Sequence, residues 1–363
     1  MMEANGTPCE IHHHFDMYLF PITYIIVIVL SIPANCISLY ISYQQVKKKN
    51  ELGVYLFNLS LSDLLYTMVL PLWVDFSLRH DNWRFGDWAC SLSAFFMHTN
   101  LYSSAGFLTC ISLDRYLAVV YPLRYAHFRT RKTAALVSVL VWTLQITSNI
   151  IIFVKKETFK NTTDILCYDQ FPMENWKSYF SIVNTCTGHF LPLAIMVFCY
   201  CKIYGAVKTN QATGDQDKIK IKHLLLVIVV TFIISFTPYH IVLLLRSIRE
   251  PKNCPFARKL FYPYKITLAL SSVNCIADPL LYCFVSEAGR ADLRTLFYYF
   301  SDKSDSPTRN GTSVKNEYLM SVICADHKGE KDEPCKMLQK KLEMEIVPEH
   351  DLASHNEKLC HAC

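Results

Sequence analysis

The sequence predicts an all-α membrane protein, a seven-transmembrane helix bundle with a short amphipathic eighth helix. The chain has 363 residues, of which 52% are hydrophobic and only 18% are charged, whereas soluble domains usually carry more charge. Aromatic residues make up 13% of the chain, and such residues collect at the two faces of a membrane. Apolar stretches long enough to cross a bilayer lie at about 18–43, 53–78, 90–121, 133–154, 178–206, 223–247 and 260–284.

Basic residues predict how the chain is oriented. The first apolar stretch ends at Lys47-Lys48-Lys49, and cytoplasmic loops favour lysine and arginine, so we expect a multi-pass protein of the plasma membrane with its N-terminus outside. Some later basic residues fall on the outer side, so the pattern favours this orientation without proving it. The predicted parts are an extracellular N-terminus at 1–17, a seven-helix domain at 18–285, an amphipathic helix at 286–300 and a disordered cytoplasmic tail at 301–363.

The expected outer segments contain glycosylation signals and cysteines. Asn5 and Asn161 each begin an N-glycosylation sequon. Cys9 and Cys254 both fall outside, where the oxidising environment allows a disulfide between them. The net charge of +5 is modest and no long basic run occurs, so no nucleic-acid binding is predicted. The sequence contains no recognisable nucleophile–base pair or metal-ligand spacing, so neither an enzyme nor a metal site is predicted.

Two aspartates, Asp63 and Asp278, lie within stretches that are otherwise apolar enough to cross a membrane. An ionised carboxylate without a partner is costly in that setting, so such a residue is a functional-site hypothesis by default. The carboxylate must find a counter-charge or take up a proton.

Several motifs occur at matching places in successive apolar stretches. Asp114-Arg115-Tyr116 ends the third stretch, and the others are Asn35, Asp63, Trp142, Pro192, Phe236-Thr237-Pro238-Tyr239 and Asp278-Pro279-Leu280-Leu281-Tyr282. Together they resemble the motifs of rhodopsin-like G-protein-coupled receptors over residues 18–300. The resemblance implies a receptor that activates a heterotrimeric G protein and binds arrestin through a phosphorylated tail.

The resemblance also assigns roles at the inner end of the bundle. Arg115 is held by Asp114 at rest and extends toward Tyr200 and Tyr282 on activation, with Tyr116 completing the motif. Relatives often carry an acidic partner for the arginine on helix six. Lys218 stands at that place here, so no second ionic latch is expected there and some basal signalling is expected.

Prolines and cysteines complete the implied framework. Proline removes a backbone hydrogen bond and allows a hinge, and the predicted hinge residues are Pro192, Phe236, Pro238 and Pro279. The resemblance further implies a disulfide, Cys90–Cys167, between the third helix and the second outer loop.

A finer resemblance is to the proton-sensing receptors. It rests on Asn50-Glu51-Leu52-Gly53-Val54-Tyr55-Leu56, His80-Asp81-Asn82-Trp83 and the segment from Ala277 to Glu287. Met97 stands where amine receptors carry a carboxylate, and Ser272 stands where opsins carry their retinal-binding lysine. The resemblance implies activation by extracellular protons, through the stimulatory G protein and a rise in cyclic AMP.

The two aspartates have a place in this resemblance. In related receptors a sodium ion is surrounded by residues at the positions of Asp63, Asp278, Asn100, Ser104 and Asn274, so the resemblance implies sodium as a cofactor. Two carboxylates can share either sodium or a proton and then titrate as a unit, so acid would displace sodium and let the helices close. Alternatively, Asp63 is only a sodium ligand and Asp278 a minor polar variant. Relatives place a third acid where Gln145 stands here, so a shifted or shallower pH response is expected.

Histidine is the other candidate proton sensor, because its ordinary pKa of about 6.5 lies near physiological pH. Histidines in the outer half of the chain's predicted bundle and in its outer segments are His12, His13, His14, His80, His98, His189 and His240. Alternatively, each is a polar residue with an ordinary hydrogen-bond partner, and for the triplet at 12–14 this alternative is favoured.

Two rival functions remain open at this point. One is a lysolipid or glycosphingolipid receptor in which Arg246, Arg249 or Lys265 holds an anionic headgroup. The other is a seven-helix transporter or proton channel, which is disfavoured because the sequence shows no internal repeat and no pair of broken helices.

Overall fold

The computed structural model describes residues 15–155, 157–161, 164–168, 170–209 and 216–280. Seven helices follow one another along the chain, which confirms the predicted fold class. The first four are α1 (Asp16–Lys47), α2 (Leu52–Leu78), α3 (Gly86–Val120) and α4, which comprises Arg131–Asn149 and a short final segment, Ile151–Val154. The predicted eighth helix at 286–300 lies outside the described residues, as do Asn5, Cys9, His12, His13, His14 and Tyr282.

Two of the last three helices include irregular segments. α5 consists of Asn175–Thr185, a π-helical segment at Cys186–Phe190 and a regular segment at Leu191–Thr209. α6 spans Gln216–Arg249, and α7 consists of Cys254–Ser271, Asn274–Ala277 and a 3₁₀ turn at Asp278–Leu280. Pro192 lies two residues after the end of the π-helical segment and Pro279 lies in the 3₁₀ turn, whereas Pro238 lies inside α6. Two of the three predicted hinge prolines therefore accompany a local change of helix type.

A short hairpin follows α4. Its strands, β1 (Thr158–Asn161) and β2 (Asp164–Cys167), pair antiparallel with Thr158 opposite Cys167. The predicted disulfide between Cys90 of α3 and Cys167 is present, and Trp83 donates its backbone N–H to Ile165 at 2.7 Å. The hairpin is therefore fixed to the end of α3.

The outer surface of the bundle is apolar. Five helices, namely α1, α2, α4, α5 and α6, are long and apolar enough to cross a membrane by length and composition. Large aliphatic side chains stay more than half exposed on α1 and α4, for example Ile22, Val29, Leu136 and Leu144. In α3, by contrast, polar residues such as Ser93, Asn100, Ser103 and Ser104 are buried. The polar groups of the bundle thus face its interior, where the candidate site lies.

Candidate functional site

The structure brings the two predicted aspartates into one buried cluster. Asp63 on α2 is fully buried and Asp278 at the end of α7 is nearly so. Asn100 of α3 donates to Asp63 Oδ1 at 2.8 Å, and Asn274 donates to Asp278 Oδ2 at 3.2 Å. The Sγ atom of Cys275 lies 3.8 Å from Asn100 Oδ1 and 3.7 Å from Asn274 Oδ1. One thiol therefore contacts the amide partners of both carboxylates.

The oxygen atoms of this cluster suit a small hard cation. Asp63 Oδ2 is buried and has no hydrogen-bond partner among the described residues, which is a costly state for a carboxylate oxygen. The hydroxyl of Ser104 lies 3.4 Å from Asn100 Nδ2 and is also fully buried. Carboxylate, amide and hydroxyl oxygens are the ligands that hard cations prefer. The residues predicted to hold sodium therefore fit that ion, and a proton on Asp63 would meet the same need.

Gln145 is not joined to this cluster. Its side chain is half-buried on α4, and within the described part of the chain it makes no hydrogen bond to Asp63 or Asp278. The neighbouring Trp142 instead ties α4 to α2, since its Nε1 donates to Asn58 Oδ1 at 2.8 Å.

Two of the predicted histidines form a stacked pair between α5 and α6. The rings of His189 and His240 are 4.1 Å apart and nearly parallel, at 5°. Phe232 stacks on His189 with its ring centre at 5.1 Å, and Tyr102 packs edge-on against His240. His189 is 0% exposed and His240 is 1% exposed. The pair is thus enclosed by aromatic rings.

Among the described residues, the stacked rings have no acceptor for a further proton. His240 Nδ1 lies 2.9 Å from the Phe236 carbonyl, and because a carbonyl only accepts, that nitrogen carries the proton. Within the part of the chain that the structure describes, His240 Nε2 and both ring nitrogens of His189 have no hydrogen-bond partner. A further proton would place a positive charge among apolar rings without an acceptor, which is unfavourable.

The other histidines occupy different surroundings. His98 on α3 donates from Nδ1 to the Ala94 carbonyl at 2.9 Å, so its Nε2 accepts from the Tyr168 hydroxyl at 2.7 Å. His98 is therefore the satisfied buried histidine of the set. His80 is exposed in the turn after α2, while the triplet at 12–14 lies outside the described residues.

A network of alternating charges lies at the other end of the bundle. The predicted contact between Arg115 and Asp114 is present, with Arg115 Nε donating to Asp114 Oδ2 at 3.0 Å. Arg129, in the segment between α3 and α4, donates to Asp114 Oδ1 at 3.1 Å and to Glu51 Oε1 at 2.5 Å. Glu51 also lies 3.5 Å from Arg115. Glu51 and Arg129 were not predicted as partners, because nothing in their local sequence indicates that they meet.

The aromatic residues near this network pack against one another. Tyr116 makes edge-on ring contacts with Tyr121 and Phe198, at 5.8 and 5.7 Å. Tyr200 is half-buried and packs beside Tyr204 at 6.3 Å. Arg115 is paired with Asp114 in this structure, which is the arrangement predicted for the resting state.

Two of the three cations proposed for an anionic headgroup, Arg246 and Lys265, are already paired with carboxylates. Arg246 donates to both oxygens of Glu250, at 2.5 and 2.8 Å, and its guanidinium packs 3.9 Å from the Tyr264 ring. Lys265 lies 2.9 Å from Asp16 Oδ2, and both are buried. The third candidate, Arg249, is exposed on α6.

A third buried ion pair joins the hairpin region to α5. Lys177 Nζ lies 2.6 Å from Glu157 Oε2 and donates to the Tyr168 carbonyl at 2.7 Å. Tyr168 in turn donates its backbone N–H to the Glu157 carbonyl at 2.7 Å. Burial raises the pKa of Glu157 above its ordinary value, and the attraction of Lys177 only partly offsets this. Sequence reasoning missed this pair.

The remaining cysteine and sequon predictions are tested in part. Cys254 is disulfide-bonded, while its predicted partner Cys9 lies outside the described residues. Asn161 ends β1, and the rest of its sequon lies outside them too. Among the residues that the structure describes, no three His, Cys, Asp or Glu side chains form a metal-binding group.

The fold and its buried polar residues define a receptor of the seven-transmembrane class. The family described as 7 transmembrane receptor (rhodopsin family) matches residues 34–282. The chain belongs to this family, so it is a multi-pass membrane receptor of the G-protein-coupled class and not an enzyme.

Three individual relatives are similar to this chain over most of its length. The chain is 45% identical to human G-protein coupled receptor 65 over 333 residues, which cover 89% of this chain and 97% of that protein. It is 41% identical to mouse G-protein coupled receptor 68 over 295 residues, covering 81% and 80%. It is 33% identical to mouse Lysophosphatidic acid receptor 6 over 297 residues, covering 79% and 86%.

Proposed function

We propose that this receptor is activated by extracellular protons. The observation that carries the proposal is the stacked pair of His189 and His240, whose three open ring nitrogens have no acceptor in the resting arrangement. Histidine is the side chain whose ordinary pKa lies nearest to the pH of acidified tissue. A pair whose open ring nitrogens gain an acceptor only when the rings separate is suited to respond to protons.

The proposed mechanism follows from linkage between protonation and shape. A conformation in which α5 and α6 separate would give the two rings water or other acceptors, so it would bind protons more readily. Acid then shifts the population toward that conformation, because a ligand favours the state that binds it better. The pair lies close to the predicted hinge residues Pro192 and Phe236, so separation of the rings is coupled to the bending of both helices.

The Asp63–Asp278 cluster supplies a second element of the proposal. Asp63 Oδ2 is buried without a partner, and the charge of Asp63 acts on Asp278. Two buried carboxylates in electrostatic contact bind protons as a unit. Bound sodium would supply a counter-charge to these carboxylates. We propose that Asn100 and Asn274 orient the two carboxylates toward each other, and that a shared proton lowers the cost of bringing α2 and α7 together.

The resemblance to proton-sensing receptors also supports activation by extracellular protons, and it adds a proposal for the intracellular signal. On this proposal the N-terminus lies outside the plasma membrane, the Asp114–Arg115 end faces the cytoplasm, and activation proceeds through the stimulatory G protein to cyclic AMP. Arrestin would bind the phosphorylated tail.

The experiment is a cyclic AMP titration from about pH 8 to about pH 6 in lipid-free medium, with Asp278→Asn beside the wild type. We expect cyclic AMP to rise on acidification in the wild type, with the midpoint moved in Asp278→Asn. A flat wild-type curve in a receptor that reaches the cell surface would refute proton activation. Repeating the acid titration with readouts for other G proteins distinguishes a receptor that does not sense protons from one that signals through a different G protein.

One relative is named as a receptor for lysophosphatidic acid, so a lipid ligand is the second candidate. Two observations weigh against an anionic headgroup in the outer half of the bundle: Arg246 is bound by Glu250, and Lys265 is bound by Asp16. A response to added lysolipid at constant pH, with no response to acid in lipid-free medium, would favour this alternative.

A further inference from the structure

Basic side chains are concentrated where α6 turns into α7. We call residues 249–259 the basic turn, since they contain one acid, Glu250, and the basic residues Arg249, Lys252, Arg258 and Lys259. All of these basic side chains are exposed. α6 ends at Arg249 and α7 begins at Cys254, so the ends of two neighbouring helices and a short connection carry this charge.

The one acid of the basic turn does not neutralise it. Glu250 is 0% exposed, and Arg246 donates to both of its carboxylate oxygens, at 2.5 and 2.8 Å. Among the described residues, none forms an ion pair with Arg249, Lys252 or Lys259. The described part of the protein therefore leaves these three exposed charges uncompensated.

The basic turn lies at the end of the bundle that contains the disulfides. Cys254 itself is disulfide-bonded, and disulfides persist in oxidising surroundings such as the cell exterior. Met173, which follows the hairpin, donates its backbone N–H to Glu250 Oε1 at 2.9 Å, so the hairpin lies at the same end. The proposed orientation places this end outside the cell. Short outer loops usually contain few lysines and arginines, so membrane insertion does not account for the basic turn.

The composition of the basic turn favours a hydrated polyanion over a protein as its partner. The centre of a protein interface is rich in aromatic and other apolar side chains, but Phe256, the one large apolar residue between 249 and 259, is mostly buried. Exposed guanidinium and ammonium groups instead bind oxyanions through charge-assisted hydrogen bonds. Clusters of exposed lysine and arginine accordingly bind heparin-like chains, which carry such groups at high density outside cells.

We propose that Arg249, Lys252 and Lys259 bind a sulfated polysaccharide of the cell surface. The sulfate groups accept hydrogen bonds from the three side chains, and a chain bound across them contacts the ends of both α6 and α7. This site shares no residue with the stacked histidines or with the Asp63–Asp278 cluster. Its occupancy is therefore a property separate from the response to protons, although it depends on the same proposed orientation.

The site is tested by surface plasmon resonance with the full-length receptor in detergent and heparin as the probe. We expect heparin to bind, and salt should weaken the binding because ions screen exposed charges. The triple variant R249Q/K252Q/K259Q should weaken it roughly tenfold. The matched control R79Q/R84Q/K155Q also removes three exposed cations from the same end, two of which Asp75 already binds. It should change the affinity less than about twofold.

A second variant separates loss of charge from damage to the fold. R249K/K252R/K259R retains all three charges and should bind heparin within about threefold of the wild type, and the melting temperatures of all variants should agree. Equal losses in the glutamine variant and its control would overturn the proposal, because heparin would then bind any basic surface. Equal loss in the charge-retaining variant, or no heparin binding by the wild type at low salt, would also overturn it.

Two other probes test the chemistry of the partner. Hyaluronan carries carboxylates but no sulfates, so it should bind roughly tenfold more weakly than heparin. Polyglutamate that binds as tightly as heparin would overturn the proposal in favour of an acidic protein segment. Because these measurements use no signalling readout, their outcome is the same whether or not protons activate the receptor.

Discussion

Arg129 lies 2.5 Å from Glu51, and through this contact the segment after α3 is fastened to the start of α2. Arg129 also donates to Asp114, the residue that holds Arg115. The four side chains are between 7% and 21% exposed, so solvent screens them only in part. The Arg129–Glu51 contact therefore stabilises the resting arrangement of these four side chains, and we call it the latch. On α6 this chain carries Lys218, where relatives often have an acidic residue.

Removing this latch should raise basal signalling. Arg129→Gln leaves Asp114 with one arginine partner and Glu51 with a longer contact. A loss of ~1 kcal/mol would raise the active population about fivefold. Cyclic AMP at alkaline pH, normalised to surface receptor, measures this. Arg124→Gln, in the same connecting segment and exposed, is the matched control, and equal basal signalling in both variants would exclude the latch.

The stacked histidines make a separate prediction for the pH response. Phenylalanine preserves the ring shape but cannot bind a proton, so His189→Phe and His240→Phe should each flatten the titration while keeping the receptor folded. His80→Asn is the control, because His80 is exposed and has a positive φ of 57°, which asparagine tolerates. If His80→Asn flattens the curve and the phenylalanine variants do not, the sensor lies in the outer loops instead.

Three groups of residues show what could and could not be predicted from the sequence. Asp63, Asp278 and their asparagines were predicted because their motifs lie in regular helices, and a buried acid in an apolar stretch is conspicuous. The His189–His240 stack was not predicted. The π-helical segment at Cys186–Phe190 has a different number of residues per turn, so the regular α-helical period does not predict which face of α5 carries His189. The Glu51–Arg129 contact joins residues 78 positions apart in connecting segments, where no periodicity indicates a partner.

Sodium should stabilise the Asp63 cluster in the absence of acid. A ligand that binds only the folded receptor raises its melting temperature, so replacing choline chloride with sodium chloride at equal ionic strength should raise the melting temperature of the purified receptor. Asp63→Asn should abolish the increase. Asp75→Asn, which removes a partly exposed acid from the same helix, should retain it. A sodium effect that survives in Asp63→Asn would place the ion elsewhere.

Burial of Glu157, in the segment before β1, should make the stability of the receptor depend on pH. Its pKa in the folded receptor is raised above 4.5 by burial, so the folded state holds this proton more tightly than the unfolded chain. Its favourable contribution is complete below about pH 4.5 and is lost as the pH rises through the raised pKa. Melting temperatures from about pH 5 to pH 8 should therefore show the wild type losing stability relative to Glu157→Gln. The control is Asp87→Asn, at an exposed acid nearby, whose melting temperature should change with pH as that of the wild type does. If the melting temperature of Glu157→Gln also changes with pH as the wild type does, the prediction is wrong.

Gly188 sets the space available to the aromatic cage around the stacked histidines. A Cβ atom at Gly188 would lie 2.5 Å from Cδ1 of Tyr102, the residue that packs edge-on against His240. Because Tyr102 is buried, it cannot move without repacking, and overpacking of this kind costs ~1–3 kcal/mol. Gly188→Ala should therefore lower the melting temperature and shift the pH midpoint. Gly205→Ala, in the same helix with no atom within 4 Å of its added Cβ, should be neutral or slightly stabilising, since alanine is favoured over glycine in a helix. If Gly188→Ala has the same melting temperature and pH midpoint as Gly205→Ala, the prediction is wrong. The result would mean that α5 moves aside without disturbing the histidine pair.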